Sequence, residues 1–187
     1  MWPVFLQRMV YSYQEKQEKI RKARAGIGSL LGTDHVVEVG CGFGANSSYC
    51  KGPYLGTDIR PDAIREAKRY HPDKHFLCCD VQKHTRLYSA CHTVLFSAVL
   101  HELPDYKDMI NSVMQDHISR ILICDYDPEL GGWLKIWMDI FEPHSKNWWG
   151  CKPAQLFPET GWTVTSGQIT PSFLYWDAKR ISAGLKP

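Results

Sequence analysis

Beyond Gly32 the sequence alternates short runs rich in β-branched residues with stretches that fit helices. This alternation is typical of a parallel sheet whose strands are joined by crossover helices. It predicts five strands, two connecting helices (61–70 and 105–117) and two closing β-like segments (162–167 and 173–179). The five strands are predicted at 35–40, 54–59, 75–81, 93–99 and 120–126. The expected fold class is therefore α/β, with a doubly wound, mostly parallel sheet of about seven strands and a C-terminal antiparallel hairpin.

Composition and charge indicate a single globular domain over residues 1–187. Of these residues 44% are hydrophobic and 22% are charged, which is enough to bury one core. The longest apolar run, 93–100, is far shorter than the roughly 18 residues of a membrane-spanning helix. A net charge of +2 favours a small-molecule partner over nucleic acid.

Two further features predict a cytoplasmic protein. The N-terminus lacks an export signal, because Arg8 interrupts its apolar stretch. The seven cysteines lie mostly in strand-like segments, which is typical of thiols in a reducing compartment. No metal site is expected, because Cys78 and Cys79 are adjacent and lack the usual zinc-ligand spacing.

The N-terminal segment has the periodicity of one amphipathic helix. Leu6, Met9, Val10 and Tyr13 recur at helical spacing, and the pattern predicts that Gly26 and Gly28 end the helix. We interpret the basic residues in its second half as a solvated face rather than a phosphate-binding patch: Lys16, Lys19, Arg21, Lys22 and Arg24.

A glycine-rich turn directly follows the first predicted strand, as VVEVGCGFG. Glycines at 40, 42 and 44 let the backbone approach a ligand closely. Asp58 ends the second predicted strand, close to the separation of about 20 residues that a strand–helix–strand nucleotide site requires. A carboxylate at this position can accept hydrogen bonds from both hydroxyls of a ribose.

Four segments in order resemble the class I S-adenosylmethionine-dependent methyltransferases, a Rossmann-like family: VVEVGCGFG, YLGTDIR, FLCCDV and TVLFSAVLHEL. The resemblance covers about residues 36–126, and GWTVTSG and FLYWDAKR are similar to the family's closing hairpin. It implies methyltransferase activity with S-adenosylmethionine as the cofactor. It also implies that the cofactor is bound by Glu38, Gly40, Gly42, Gly44, Asp58, Ile59, Asp80, Val81, Ser97 and Ala98.

The resemblance gives individual roles to several of these residues. The glycine loop would lie under the methionine part of the cofactor, Asp58 would bind the ribose, and Asp80 would meet the adenine amino group. Ile59 would pack on the adenine, and the backbone of Val81 would contact it. A purely structural interpretation remains open, in which the glycines form only a tight turn and Asp80 caps the next segment.

His101 is the candidate catalytic residue. The sulfonium of the cofactor already makes its methyl group a strong electrophile, so a general base is needed only when the acceptor must lose a proton. His101 directly follows the fourth predicted strand, where the family's substrate-facing residues often lie. The alternative is a structural histidine.

Aromatic residues suggest where the methyl acceptor binds. Trp137, Trp148 and Trp149 lie in the segment 128–160, which in this family commonly shapes the acceptor site. With Tyr11 and Tyr13 of an N-terminal lid helix (1–28), they predict a pocket for a small, partly apolar or aromatic metabolite. The same aromatic residues could instead pack into the core or a homodimer interface. The resemblance thus divides the chain into the lid helix, a cofactor-binding core at 33–127, the acceptor segment at 128–160 and the closing hairpin at 161–180.

Two other classes of function remain as alternatives. A nicotinamide-dependent oxidoreductase also uses a glycine loop and an acidic residue, but here the third glycine comes one residue too early for the dinucleotide fingerprint. The other alternative is a non-catalytic, methyltransferase-like subunit that activates a partner.

Overall fold

One sheet of seven strands forms the centre of the computed structural model, which describes residues 4–84, 87–88, 91–114, 118–129, 131–141 and 143–181. The order across the sheet is β3-β2-β1-β4-β5-β7-β6. The strands are β1 (Val36–Val39), β2 (Tyr54–Asp58), β3 (His75–Cys78), β4 (Thr93–Ser97), β5 (Arg120–Tyr126), β6 (Trp162–Thr170) and β7 (Phe173–Arg180).

The topology of the sheet fixes where a ligand can bind. Strands β1 to β5 are parallel, whereas β7 pairs antiparallel with both β5 and β6. After β1, the chain adds β2 and β3 on one side of this strand and then crosses over to add β4 on its other side. Ligands of open α/β sheets bind at the carboxyl ends of the strands where the direction of building reverses. Here that point lies between β1 and β4. The predicted fold class is confirmed.

Helices cover both faces of the sheet and bury its central strands. On one face, α2 (Glu18–Leu31) and α3 (Pro61–Tyr70) pack against the sheet through apolar side chains such as Ile27 and Ile64. On the other face, α4 (Tyr106–Met114) does so through Ile110 and Val113. Because the middle strands are covered on both sides, they are nearly continuous apolar runs.

The prediction of a single N-terminal helix that Gly26 and Gly28 end is wrong. The structure has two helices, α1 (Val4–Lys16) and α2, which are separated by the extended residue Gln17. Both glycines lie inside α2, and a Cβ atom at Gly28 would lie 2.5 Å from the carbonyl oxygen of Tyr49. Glycine at 28 therefore permits close helix packing, and the helix ends at Gly32, whose φ is +60°.

Several boundaries also differ from the predictions. The third strand ends at Cys78 instead of 81, because Asp80 caps a short 3₁₀ helix at Val81–Lys83. The connection after β1 holds only a 3₁₀ helix, Ala45–Tyr49, which agrees with its short length. The helix predicted at 105–117 is α4, and residues 115–117 lie outside the described part of the chain.

The segment between β5 and β6 contains one α-helix and two 3₁₀ helices among its described residues. They are α5 (Gly132–Phe141), Pro143–Asn147 and Pro153–Leu156. In the described part of the chain, no helix combines the length and apolar character needed to cross a membrane.

Candidate active site

The glycine loop after β1 has a backbone conformation that favours glycine. Gly40, Gly42 and Gly44 have φ angles of +68°, +53° and +77°, in the left-handed region that other residues seldom adopt. A Cβ atom at Gly40 would lie 2.4 Å from Cγ2 of Val99, so packing also requires glycine there. At Gly42, by contrast, no atom of the other described residues lies within 4 Å of the Cβ position, its two chain neighbours aside. This side of the loop is open to a ligand.

Asp58 connects the end of β2 with the glycine loop. Its Oδ2 accepts a hydrogen bond from the backbone N–H of Gly42 at 2.9 Å, and its Oδ1 accepts one from the N–H of Arg60 at 2.9 Å. Each carboxylate oxygen can accept a further hydrogen bond, which fits a pair of ribose hydroxyls. The next residue, Ile59, is 66% exposed, as expected of a side chain that packs on a ligand. These residues fit the adenosine part of the predicted cofactor.

Asp80 and Val81 follow β3 at the same edge of the sheet. The carboxylate of Asp80 accepts a hydrogen bond from the N–H of Gln82 at 3.2 Å and lies 3.0 Å from Nζ of Lys83. The hydrogen bond with Lys83 lowers the pKa of Asp80. Val81 is buried in the core. Asp80 thus caps the short 3₁₀ helix that follows it, as the purely structural interpretation predicts. Its position just after β3 is also the position in which a carboxylate would meet the adenine amino group.

Glu38 is buried within β1 beneath the glycine loop. Its carboxylate accepts hydrogen bonds from Nδ2 of Asn46 at 2.6 Å and from the hydroxyl of Tyr54. Burial raises the pKa of Glu38 to about 7, although both hydrogen bonds act in the opposite direction. The side chain of Glu38 therefore links the loop to β2. Nearby, Oγ of Ser47 is buried and has no hydrogen-bond partner among the described residues.

Beyond β4 the backbone takes an unusual turn. Ala98 has a φ of +51° and is the one non-glycine residue with a positive φ in the described part of the chain. Its N–H donates to the carbonyl of Cys124 at 2.8 Å, while its side chain is exposed and that of Ser97 is half-buried. Such a conformation costs roughly 1–2 kcal/mol, and strain of this kind clusters at functional sites.

His101 lies in a 3₁₀ helix, Leu100–Glu102, that follows this turn, and its side chain is only 2% exposed. Its Nδ1 is 2.6 Å from Oδ1 of Asp125, a buried carboxylate at the end of β5. Asp125 also accepts hydrogen bonds from the N–H groups of Leu100 and Tyr126. This arrangement keeps the proton of a neutral imidazole on Nδ1, so that Nε2 is the basic nitrogen.

Asp125 is not among the site residues predicted from the sequence. A signal existed, because Asp125 is an acidic residue near the end of an otherwise apolar parallel strand, at the same edge of the sheet as His101. A carboxylate in that position has to pair with a donor at that edge.

The predicted acceptor residues whose side chains the structure describes lie in different surroundings. The ring of Tyr11 lies 5.5 Å from that of Phe43 in the glycine loop, and its hydroxyl is 3.0 Å from Nε2 of His71 at the end of α3. Tyr13 is 64% exposed. Trp137 belongs to α5, but its side chain lies outside the described part of the structure.

The two adjacent tryptophans have different surroundings. Trp148 is fully buried in the core, donates from Nε1 to the carbonyl of Tyr126 at 2.8 Å and packs edge-on against Trp176. Trp149 is half-buried and donates from Nε1 to Asp139 at 2.6 Å, while Nζ of Lys135 lies 5.1 Å from the ring centre. Of these two tryptophans, only Trp149 exposes side-chain surface that a ligand could contact in this conformation.

A cavity of about 410 Å³ lies between the start of α4 and the segment after α5. It is lined by Pro104, Asp105, Tyr106, Lys107, Asp108 and Asn147. A second cavity, of about 510 Å³, lies near the amino ends of β1 and β2, away from the glycine loop.

Among the described residues, no group of histidine, cysteine and acidic side chains could hold a metal ion.

Comparison with known proteins agrees with this geometry. Residues 37–116 match the family described as "Methyltransferase domain". No curated protein has a sequence that matches the chain.

Solved structures of methyltransferases are similar to the chain in fold. The plantazolicin methyltransferase BpumL in complex with SAH is 14% identical, with a TM-score of 0.67 over 93% of this chain and 90% of the other. Magnesium protoporphyrin IX methyltransferase from Synechocystis PCC 6803 with bound SAM is 16% identical, with a TM-score of 0.60 over 97% and 86%. Residues 37–116 are therefore similar to a methyltransferase domain, and the chain has the fold of these class I, S-adenosylmethionine-dependent methyltransferases.

Proposed function

We propose that this protein transfers a methyl group from S-adenosylmethionine to a small, partly apolar or aromatic acceptor. The observation that carries the proposal is the position of Asp58, whose carboxylate is fixed by Gly42 next to the open side of the glycine loop. Asp58 would bind the ribose, Ile59 would cover the adenine, and the loop backbone would face the methionine part.

Bound S-adenosylmethionine supplies an electrophilic methyl group on a sulfonium. The task of the protein is then to hold the acceptor in line with that group and to exclude water. His101 would accept a proton from a hydroxyl or protonated amine acceptor through Nε2. Asp125 would hold the imidazole in the required tautomer and stabilise the imidazolium, as an orienting carboxylate does in other acid–base sites.

The acceptor side of the site would be formed by the loop after β4 and the segment 128–160. Trp149 supports an apolar or aromatic acceptor, because its indole is partly exposed and fixed by Asp139. Lys135 already occupies a position near that ring, which disfavours a cationic acceptor on the same ring. The structural neighbours also include a plantazolicin methyltransferase in complex with a triazolic desmethylPZN analog and SAH.

The proposal is tested by calorimetric titration of the protein with S-adenosylmethionine, S-adenosylhomocysteine and NAD. We expect binding of the first two and not of NAD. Asp58→Ala should weaken S-adenosylhomocysteine binding by about 1.5 to 3 kcal/mol, or roughly 10- to 150-fold, because charge-assisted hydrogen bonds to the ribose are lost.

Asp73→Ala, which removes an exposed carboxylate elsewhere, is the matched control and should bind like the wild type. Unchanged affinity in a folded Asp58→Ala variant would contradict the ribose assignment. A labelled-methyl screen of metabolite extracts then identifies the acceptor, and a protein that binds the cofactor but labels nothing would point to the non-catalytic alternative.

A further inference from the structure

Helix α1 contacts the rest of the protein largely through polar side chains. Oε1 of Gln7 accepts a hydrogen bond from Arg60, Arg8 pairs with the buried Glu66, and Glu15 pairs with Arg24. Tyr11, on the same side of the helix, reaches His71. Hydrogen bonds and ion pairs thus hold the inward face of α1 to α2 and to α3 with the residues that flank it. The ring of Tyr11 also packs against Phe43 of the glycine loop.

The opposite face of α1 is apolar and faces solvent. Phe5, Met9 and Tyr13 are spaced four residues apart and are 60%, 64% and 64% exposed. Val10 beside them is 39% exposed. This arrangement inverts the usual surface helix, which turns its apolar stripe toward the core. We call Phe5, Met9, Val10 and Tyr13 the outer stripe.

Positive charge is concentrated in the helices that carry the outer stripe. Residues 4–31 contain six basic and two acidic residues, a net charge of +4, so that the rest of the chain carries −2. Four of these basic side chains are exposed directly after the stripe: Lys16, Lys19, Arg21 and Lys22. A partner for this surface therefore has to be both apolar and negatively charged.

A second copy of the chain does not meet these requirements. The outer stripe exposes on the order of 400 Å² of apolar surface, so a symmetric pair would bury about 800 Å², below the roughly 1,200 Å² of a stable interface. The same contact would also bring together two segments of net charge +4.

We propose that α1 docks on an anionic lipid surface. The outer stripe would enter the boundary between headgroups and acyl chains, and the lysines that follow would reach the lipid phosphates. The polar inward face keeps α1 attached to the domain while its apolar face is covered by lipid. This proposal concerns a surface outside the active site and does not depend on the identity of the methyl acceptor.

The test is co-sedimentation of the full-length protein with vesicles of phosphatidylcholine alone or of phosphatidylcholine and phosphatidylglycerol at about 7:3. We expect binding to the anionic vesicles that weakens in high salt. The double substitution Phe5→Ser/Met9→Ser should lower the partition coefficient by about tenfold or more. Lys16→Glu/Lys19→Glu should abolish the preference for anionic lipid.

Ile136→Ser/Ile140→Ser is the matched control, because these two isoleucines of α5 have the same spacing and are 50% and 66% exposed. It should bind vesicles like the wild type, and circular dichroism should show that all variants are folded. Absence of binding to anionic vesicles, or an equal loss in the α5 control, would overturn the proposal. A dimer in sedimentation analysis that Phe5→Ser/Met9→Ser dissociates would assign the stripe to a second copy instead.

Discussion

The proposed cofactor side of the site (residues 36–81) and its proposed acceptor side (residues 99–160) are built differently. On the cofactor side, the groups that would meet the ligand are open backbone and exposed side chains, such as Gly42 and Ile59. On the acceptor side, His101 and Trp148 are buried and already hydrogen-bonded within the protein. The first set of groups is accessible to a ligand, whereas the second set makes hydrogen bonds within the protein.

The largest effect expected to test the difference between the two sides is the loss of turnover on substitution of His101. His101→Ala should reduce methyl-transfer turnover roughly 10²- to 10⁴-fold on a hydroxyl or protonated amine acceptor, because the proton acceptor is lost. Asp125→Asn should also reduce turnover, since an amide would donate to Nδ1 and move the imidazole proton to Nε2. Steady-state kinetics with the labelled acceptor measure both effects.

Cofactor titration is the control for these two variants, because the cofactor side should be unaffected and the affinity for S-adenosylhomocysteine unchanged. His101→Ala also leaves a buried carboxylate without one of its donors, so its thermal unfolding has to be measured as well. Turnover within a few-fold of the wild type in both variants would mean that His101 and Asp125 form a purely structural pair.

The adjacent tryptophans test the difference within the acceptor side itself. Trp148→Ala should lower the free energy of unfolding by about 3–5 kcal/mol, because a fully buried indole and its hydrogen bond to Tyr126 are removed. Trp149→Ala should destabilise the protein much less and instead raise the KM for the acceptor. Denaturant unfolding and acceptor kinetics on both variants separate these outcomes. Equal destabilisation by both substitutions would place Trp149 in the core too.

Glu38 gives a smaller effect on the cofactor side, in the dependence of stability on pH. Burial raises its pKa from the ordinary value of 4.5 to about 7 in the folded protein. As the pH rises from 4.5 to 7, the unfolded chain releases this proton first, so the free energy of unfolding should fall by about 3 kcal/mol. Below pH 4.5 the carboxyl group is protonated in both states and this contribution is constant.

Glu38→Gln should remove this fall, because glutamine keeps a neutral group of the same shape next to Asn46 and Tyr54. Urea unfolding at pH 5 and pH 7.5 provides the measurement. The control is Glu159→Gln, which changes an exposed glutamate and should leave the wild-type pH dependence intact. The same slope in Glu38→Gln and the wild type would show that Glu38 is not the group responsible.

The sheet and the tight glycine turn after β1 were predicted from the sequence better than the surroundings of the aromatic residues in 128–160, for physical reasons. Parallel strands that are buried on both faces are continuous apolar runs in the sequence. A turn that needs several residues with positive φ is marked by glycines at fixed spacing. Both features can therefore be recognised within a short stretch of sequence. Whether Trp148 or Trp149 faces the core depends on contacts with Tyr126 and Trp176, which are distant in sequence. The predicted end of the N-terminal helix is wrong for a similar reason, because close packing against Tyr49, and not the end of the helix, requires glycine at 28.

The contact between Gly40 and Val99 limits how far the two sides of the site can be exchanged. At this point the loop after β1 approaches the residues after β4 so closely that no side chain fits on Gly40. A chimera that joins residues 36–81 of this protein to the acceptor side of another methyltransferase would therefore need a residue no larger than valine opposite Gly40. A bulkier residue there would have to place its extra atoms away from Gly40 or displace the glycine loop. Modular engineering of a new acceptor specificity thus has to begin from the size of residue 99.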